Sequence, residues 1–460
     1  MARYNLMRLP GLAGLLKSRW PQLVAQTVAA AGFGLAILTG LLGTPVGNRS
    51  FAVIAVWIAW WALLILALVP LFGRAWCSVC PIPLPGEWLQ RGAVLGPTGK
   101  PQGLGRRRPG QLRWPRALRG IWLQSGAFLL LALFSAVLLT QPKVTSVVLL
   151  AMVAVAIGTS LVFERRSFCR YLCPVGGFIG LYSQLAPMEL RVADPAVCAG
   201  HQDKTCYNGS ADGYGCPWQV FPGGLVKNTS CGLCVECLRT CPHDNIVLNL
   251  RPVGADLAQP RGRGLDEAFK ALIMLGSAIA YAAVMLGPWG GLKAAAYAVG
   301  SLAWWGYAGA FLGLVLVVLP GLLLAAVLAG RGLAHSHQRV RRAFVALAYP
   351  LVPLGLAAWV AFSLAFVFAS LSYLWPVLSD PFGWGWNLLG TAQVGWQPYA
   401  MAIVPWLQTV VLAGGLAWAT RTALSIAREH LPEHAARLQA MPVVAFCLAA
   451  SAGMLWLLVG

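Results

Sequence analysis

Acidic residues are scarce in this 460-residue chain: 14 Asp and Glu stand against 34 Lys and Arg, and charged residues of both signs make up only 10% of it. A soluble domain carries charge on about a quarter of its residues, so a wholly water-exposed globule is excluded. The apolar runs hold almost no carboxylates, which argues against the internal acidic relay of a proton pump. They also hold none of the six histidines, so no transmembrane b-type haem on two imidazoles is expected. His335, His337, His430 and His434 fall in basic loops, the last two four residues apart in "REHLPEHAARL". They read as solvated or lipid-facing side chains, with a surface metal or haem as the sharper alternative.

What the chain has in abundance is apolar surface. Hydrophobic residues make up 58% of it, 20 are Trp, and mean hydropathy is +0.69. This implies an α-helical polytopic membrane protein. Runs of the roughly 20 residues needed to cross a bilayer lie near 21–43, 51–72, 120–140, 144–163, 268–288, 308–330, 344–371, 399–420 and 442–460. About nine helices are therefore expected, with the weakly apolar pieces 289–307 and 373–398 able to alter the count. The first run is a full-length span without a small-residue cleavage site, so it is not read as a cleavable signal.

The formal charge of +20 suits cytoplasmic loops and anionic lipid better than nucleic acid, which is not expected as a partner. Arg3, Arg8, Lys17 and Arg19 hold the N-terminus inside. Nine crossings then place the C-terminus outside. The same assignment puts Arg74, the cluster from Arg106 to Arg119, Arg165, Arg166, Arg331 to Arg342 and Arg421 to Arg437 on the cytoplasmic face, leaving only Lys143 and Lys293 outside. Three regions follow: a membrane domain over 1–186, a cytoplasmic domain over 187–265, and a membrane domain of about five helices over 266–460.

Seven of the twelve cysteines sit in the middle region. A reducing compartment disfavours disulfides there and favours metal binding. "CGLCVECLRTCP" spaces Cys231, Cys234, Cys237 and Cys241 as C-x2-C-x2-C-x3-C-P. In the bacterial ferredoxin pattern the first three such cysteines hold one [4Fe-4S] cluster and the fourth reaches a second. Cys216, followed by Pro217 as Cys241 is by Pro242, is the expected fourth ligand of cluster one, with Cys231, Cys234 and Cys237. Cluster two then has Cys198, Cys206 and Cys241, with His201 filling the empty position three residues after Cys198. Imidazole ligates iron in Rieske centres. A [3Fe-4S] centre on three cysteines, a ligand such as Asp203, or a solvated His201 are the alternatives. Zinc sites are the alternative for the whole region.

A second pattern lies at the ends of two apolar hairpins. "GRAWCSVCPIPLPGEW" and "RRSFCRYLCPVGGFIG" form a tandem repeat, offset by 92 residues from Cys77 to Cys169. Two hairpins of one polarity bring Cys77, Cys80, Cys169 and Cys173 to one face. There they supply a third cluster, a redox-active dithiol, or thiols that merely pack. The proline after each second cysteine breaks the helix and frees backbone amides. Cys447, alone in the last span, reads as a small core residue.

Paired Cys-Pro motifs after membrane hairpins, followed by a two-cluster ferredoxin pattern, resemble the membrane polyferredoxins of the NapH and NosR type over roughly residues 50–260. The copper-reducing assembly factor of cbb-type oxidases shares the layout. The resemblance implies electron transfer between the membrane quinone pool and a partner redox protein through [4Fe-4S] clusters. This chain departs from it in having C-x2-C at Cys77 and Cys80, a spread first half C-x2-H-x4-C-x9-C, and no flavin-binding domain before the first span. Residues 266–460 lie beyond it.

The expected function is therefore a subunit of a quinol-linked oxidoreductase in the cell membrane, with iron held by these residues, quinone as substrate, and lipid and respiratory subunits as partners. A metal-reducing assembly factor for a respiratory metalloenzyme is the alternative, and a transporter with a regulatory cluster domain is a third. For quinone, either the aromatic segment around Asp380 or the Cys-Pro turns, with Glu87 or Glu164 as proton acceptor, could form the pocket.

Overall fold

The computed structural model describes residues 3–97 and 111–460; part of the basic cluster expected from Arg106 to Arg119 lies outside these residues. Among the described residues, eight helices are long and apolar enough to cross a membrane: Trp20–Leu42, Phe51–Phe72, Pro142–Val162, Leu265–Met285, Leu302–Leu333, Val340–Ser379, Met401–Ala427 and Glu433–Val459. The chain is a multi-pass membrane protein by this measure. The span expected over 120–140 differs. It is a 12-residue helix, Trp122–Leu133, that ends where Phe134 leaves helical backbone (φ −95°, ψ 13°) before a short turn Ser135–Leu138. Of the two ambiguous pieces, 289–307 holds the short helix Gly290–Tyr297, and 373–398 is mostly irregular after Leu374–Ser379.

The chain packs as two units. The first comprises Met1–Leu35, Ala67–Gln124 and Val147–Gln259. Its cysteine-rich part carries a three-stranded antiparallel sheet of order β1-β3-β2, with β1 Tyr4–Asn5, β2 Met188–Val192 and β3 Ile246–Leu250. Leu190 and Ile246 bury the inner face together with Leu238, Cys206 and Cys237. On the same sheet Glu189 is fully buried, and Arg251 pairs with it at 3.1 Å and with Asp256. Buried charges of this kind stand only because each is paired.

Residues just after the N-terminus belong to this unit too. Arg3 pairs with Glu189 at 2.7 Å, Lys17 with Asp244 at 2.6 Å and Arg19 with Glu236 at 2.8 Å, while Met7 and Leu16 pack on the sheet core. The basic N-terminal residues therefore serve as ion-pair partners of the cysteine-rich segment and lie on its side.

The second unit comprises Ala36–Leu66, Ser125–Ser146 and Pro260–Gly460. Helix packing here relies on small residues that let backbones approach, as membrane helices do. A Cβ on Gly415 would lie 2.4 Å from that of Ala357, and one on Gly330 would lie 2.2 Å from the Gln439 carbonyl oxygen. Ala423, Ala427, Ala436 and Ala440 form a similar seam. At its centre Trp359 meets Trp61, Tyr281 and Phe362 edge-on and donates to the Met274 carbonyl at 3.0 Å. Cys447 is buried in Glu433–Val459, where a small apolar side chain suffices.

Candidate functional site

Eleven of the twelve cysteines fall in the first unit, and none is in a disulfide. Cys216, Cys231, Cys234 and Cys237, the four grouped by spacing, line one small cavity beside Trp218. Leu233 (φ 48°) and Val235 (φ 54°) flank Cys234 in left-handed backbone. A β-branched residue rarely adopts that conformation. Its effect is to turn successive amides inward, the arrangement that forms anion-binding nests at many Fe–S sites. The Leu233 amide donates to the Cys231 sulfur and the Glu236 amide to that of Cys234, while Trp218 and Val220 donate to Cys216.

Gly232 has no room for a side chain, because a Cβ there would meet Trp218 Nε1 at 2.0 Å. Among the described residues that buried indole nitrogen has no hydrogen-bond partner, a cost tolerated where a further acceptor is to be bound. Burial pushes the Cys234 thiol up to about 12 and those of Cys216, Cys231 and Cys237 upward as well. At neutral pH these sulfurs are protonated until a cation replaces the proton.

A second cavity is lined by Cys198, His201, Cys206 and Cys241. Asn245 donates to two of its sulfurs, from Nδ2 to Cys198 and from its amide to Cys241, both at 3.4 Å. Burial raises the Cys206 thiol to about 11. Asp203 is not among the residues lining this cavity. His243 is, and its ring meets that of His201 edge-on at 5.0 Å. Sequence reasoning missed His243, although its position directly after Cys241-Pro242 was a signal available to it.

Cys77, Cys80, Cys169 and Cys173 also converge. Burial raises the Cys80 thiol, and the charges of Cys173 and Cys77 raise it further; burial likewise raises Cys169, despite the opposing charge of Arg166. Proline has the effect expected of it. Cys173 caps the helix Pro174–Tyr182, its sulfur accepting from the Gly176 amide at 3.2 Å, and the Ile82 amide donates to Cys80. Among the described residues no three His, Cys, Asp or Glu side chains draw close enough to hold one metal ion.

Arginines from both repeats grip the segment between Cys216 and Thr229. Arg165 donates to the Cys216 carbonyl at 2.9 Å, Arg170 to that of Gln219 at 2.6 Å, and Arg74 to that of Thr229, with its guanidinium 4.2 Å above the Trp218 ring. Arg166 acts electrostatically on both Cys169 and Cys234. Sequence reasoning treated Arg74, Arg165 and Arg166 only as topological markers and did not single out Arg170. Glu87 is held by arginines too. Burial would raise its carboxyl, but Arg166 and Arg91 outweigh that and hold it below the usual carboxylate range. It is clamped between Arg166 and Arg91. In the second unit, the Asp380 carboxylate accepts the amides of Trp384 at 3.0 Å and Gly385 at 2.7 Å, which shapes the aromatic loop. His430 and His434 do not share a helix face, because Val404–Ala427 ends before the first and Glu433–Val459 begins just before the second.

A family model described as "4Fe-4S binding domain" matches residues 53–109 and 145–192, the stretches that contain Cys77 and Cys80, and Cys169 and Cys173. The "Putative electron transport protein YccM" of Escherichia coli (strain K12) is 29% identical over 82 residues, which is 17% of this chain and 20% of that protein. The chain thus aligns with about a fifth of the length of that relative. No solved structure matches. With the apolar helices, these similarities support a membrane iron–sulfur protein.

Proposed function

We propose that this membrane iron–sulfur protein relays electrons between the quinone pool and a partner redox protein, in the manner of the NapH and NosR type. The observation that carries the reading is the sorting of its cysteines around separate cavities in one unit. Cys216, Cys231, Cys234 and Cys237 would hold one [4Fe-4S] cluster. Cys198, Cys206 and Cys241 would hold a second with His201, and Cys77, Cys80, Cys169 and Cys173 a third. The donor sets fit such groups: a single zinc ion gathers its sulfurs at about 2.3 Å, whereas these thiols ring a space and face inward-turned amides. When bound, such clusters carry single electrons at potentials tuned by burial and by hydrogen bonds to their sulfurs.

The chain's own residues supply position and electrostatics. Arg166 feels both Cys169 and Cys234, and the charge of Cys206 is felt with those of Cys216 and Cys237. This ordering supports a path from the Cys-Pro set through the Cys216 set to the Cys198 set. The Cys-Pro set follows the membrane spans directly, so quinone exchange is proposed there. The N-terminus and cysteine-rich segment face the cytoplasm in this reading; with the broken segment Trp122–Leu138 taken as a ninth crossing, the C-terminus lies outside a bacterial inner membrane.

Anaerobically purified full-length protein should hold acid-labile sulfide and show a broad visible absorbance that a quinol analogue bleaches within milliseconds to seconds. Zinc in place of iron would end the redox reading. Oxidation by cupric ion without any response to quinol would replace relay by metal reduction for assembly.

A further inference from the structure

The second unit contains a cavity of about 580 Å³ that the cysteine chemistry does not use. Its charged lining is Arg263, Arg339, Arg341, Arg342, Glu429 and His430. Each comes from the end of an apolar helix. Arg263 precedes Leu265–Met285, the three following arginines begin Val340–Ser379, and Glu429 and His430 follow Met401–Ala427. The cavity therefore opens where three spans end, at the level of lipid headgroups.

Glu429 is already engaged, held by both terminal nitrogens of Arg263 at 2.9 and 2.7 Å. The turn under it is fixed by the Gly264 amide, which donates to the Tyr349 hydroxyl at 3.2 Å, and by Tyr349 bonding Glu267. Arg339, Arg341 and Arg342 make no side-chain hydrogen bond or ion pair among the described residues. Four arginines against one glutamate leave the lining three charges positive with His430 neutral. Leu265, Val345 and Ala346 supply an apolar wall beside them.

We propose that this cavity binds the phosphodiester headgroup of an anionic phospholipid. Guanidinium forks match phosphate oxygens in pairs, and basic pockets between membrane helices bind anionic headgroups. The apolar wall receives the glycerol and first acyl carbons, which a free phosphate ion lacks. A neutral quinone would leave the arginines unanswered.

The test uses the full-length protein, stripped of lipid in detergent, with thermal unfolding and native mass spectrometry as readouts. Phosphatidylglycerol, phosphatidylcholine with the same chains, and inorganic phosphate are the probes. The expected result is retained phosphatidylglycerol adducts and a raised Tm, with little effect of phosphatidylcholine. R341Q/R342Q should weaken phosphatidylglycerol binding tenfold or more while leaving the visible spectrum unchanged, and R339Q alone, which removes one charge instead of two, should weaken it less. Salt should reduce the effect. Equal response to phosphatidylcholine, or undiminished phosphatidylglycerol binding in R339Q and R341Q/R342Q, would overturn the proposal. So would inorganic phosphate giving the full shift, which would reassign the cavity to a free anion.

Discussion

Arg166 reaches Glu87 with two nitrogens, Nη2 standing 2.6 Å from Oε2, while its Nη1 donates to the Cys77 carbonyl oxygen at 2.6 Å. Arg166 stands three residues before Cys169 in the second repeat, and Glu87 lies seven after Cys80 in the first. Both side chains are almost wholly buried. One ion pair thus ties the two Cys-Pro turns together.

Glu87→Gln should therefore destabilise the first unit by about 3–5 kcal/mol, since it leaves a buried guanidinium uncompensated. Chemical denaturation followed through the visible absorbance would measure this. A variant as stable as the wild type would show that the pair does not hold the turns.

The same carboxylate sets a pH dependence. Its folded pKa lies below its ordinary value, so its stabilisation is complete above the unfolded value of about 4.3 and is lost as pH falls through the lowered one. Acid titration of the wild type should show a loss of stability below about pH 4 that Glu87→Gln lacks.

Gly232→Ala forces a methyl group onto Trp218. Overpacking of this kind costs about 1–3 kcal/mol. In electron paramagnetic resonance one centre should broaden or vanish while the others persist. Loss of every centre together would mean that the site does not load independently.

His201→Ala and His243→Ala should separate the two imidazoles that meet in the second cavity. If His201 is the ligand, its replacement shifts the potential or spectrum of one centre, and His243→Ala alters it less. The reverse pattern would transfer the ligand role to His243, and two silent variants would remove imidazole from the set.

Iron content offers a separate count. Paired Cys→Ser changes at Cys77 and Cys173, at Cys216 and Cys234, or at Cys206 and Cys241 should each lower iron by about four per chain, as expected for one [4Fe-4S] centre. An unchanged value after the first pair would leave Cys77 and Cys173 as packed thiols.

Membrane character was legible in the sequence because apolar length is a local property: each of the eight long helices coincides with a run of apolar residues. The run over 120–140 is apolar throughout, but hydropathy does not register the backbone break at Phe134 that divides it. Cysteine spacing likewise reports on neighbours in the chain, and the C-x2-C-x2-C-x3-C-P run and each single Cys-Pro motif lie within a few turns of backbone.

The chain alone determined its solvent, its basic character and its sulfur-rich chemistry, since these follow from composition and from contacts between residues close in sequence. Tertiary structure alone decided that Lys17 and Arg19 brace the cysteine-rich segment, that Arg74 lies over Trp218 and that Glu87 is a clamp. Each of these pairs residues dozens to hundreds of positions apart. A charge shows its sign in the sequence, but its partner and its burial exist only once the backbone has brought distant segments together.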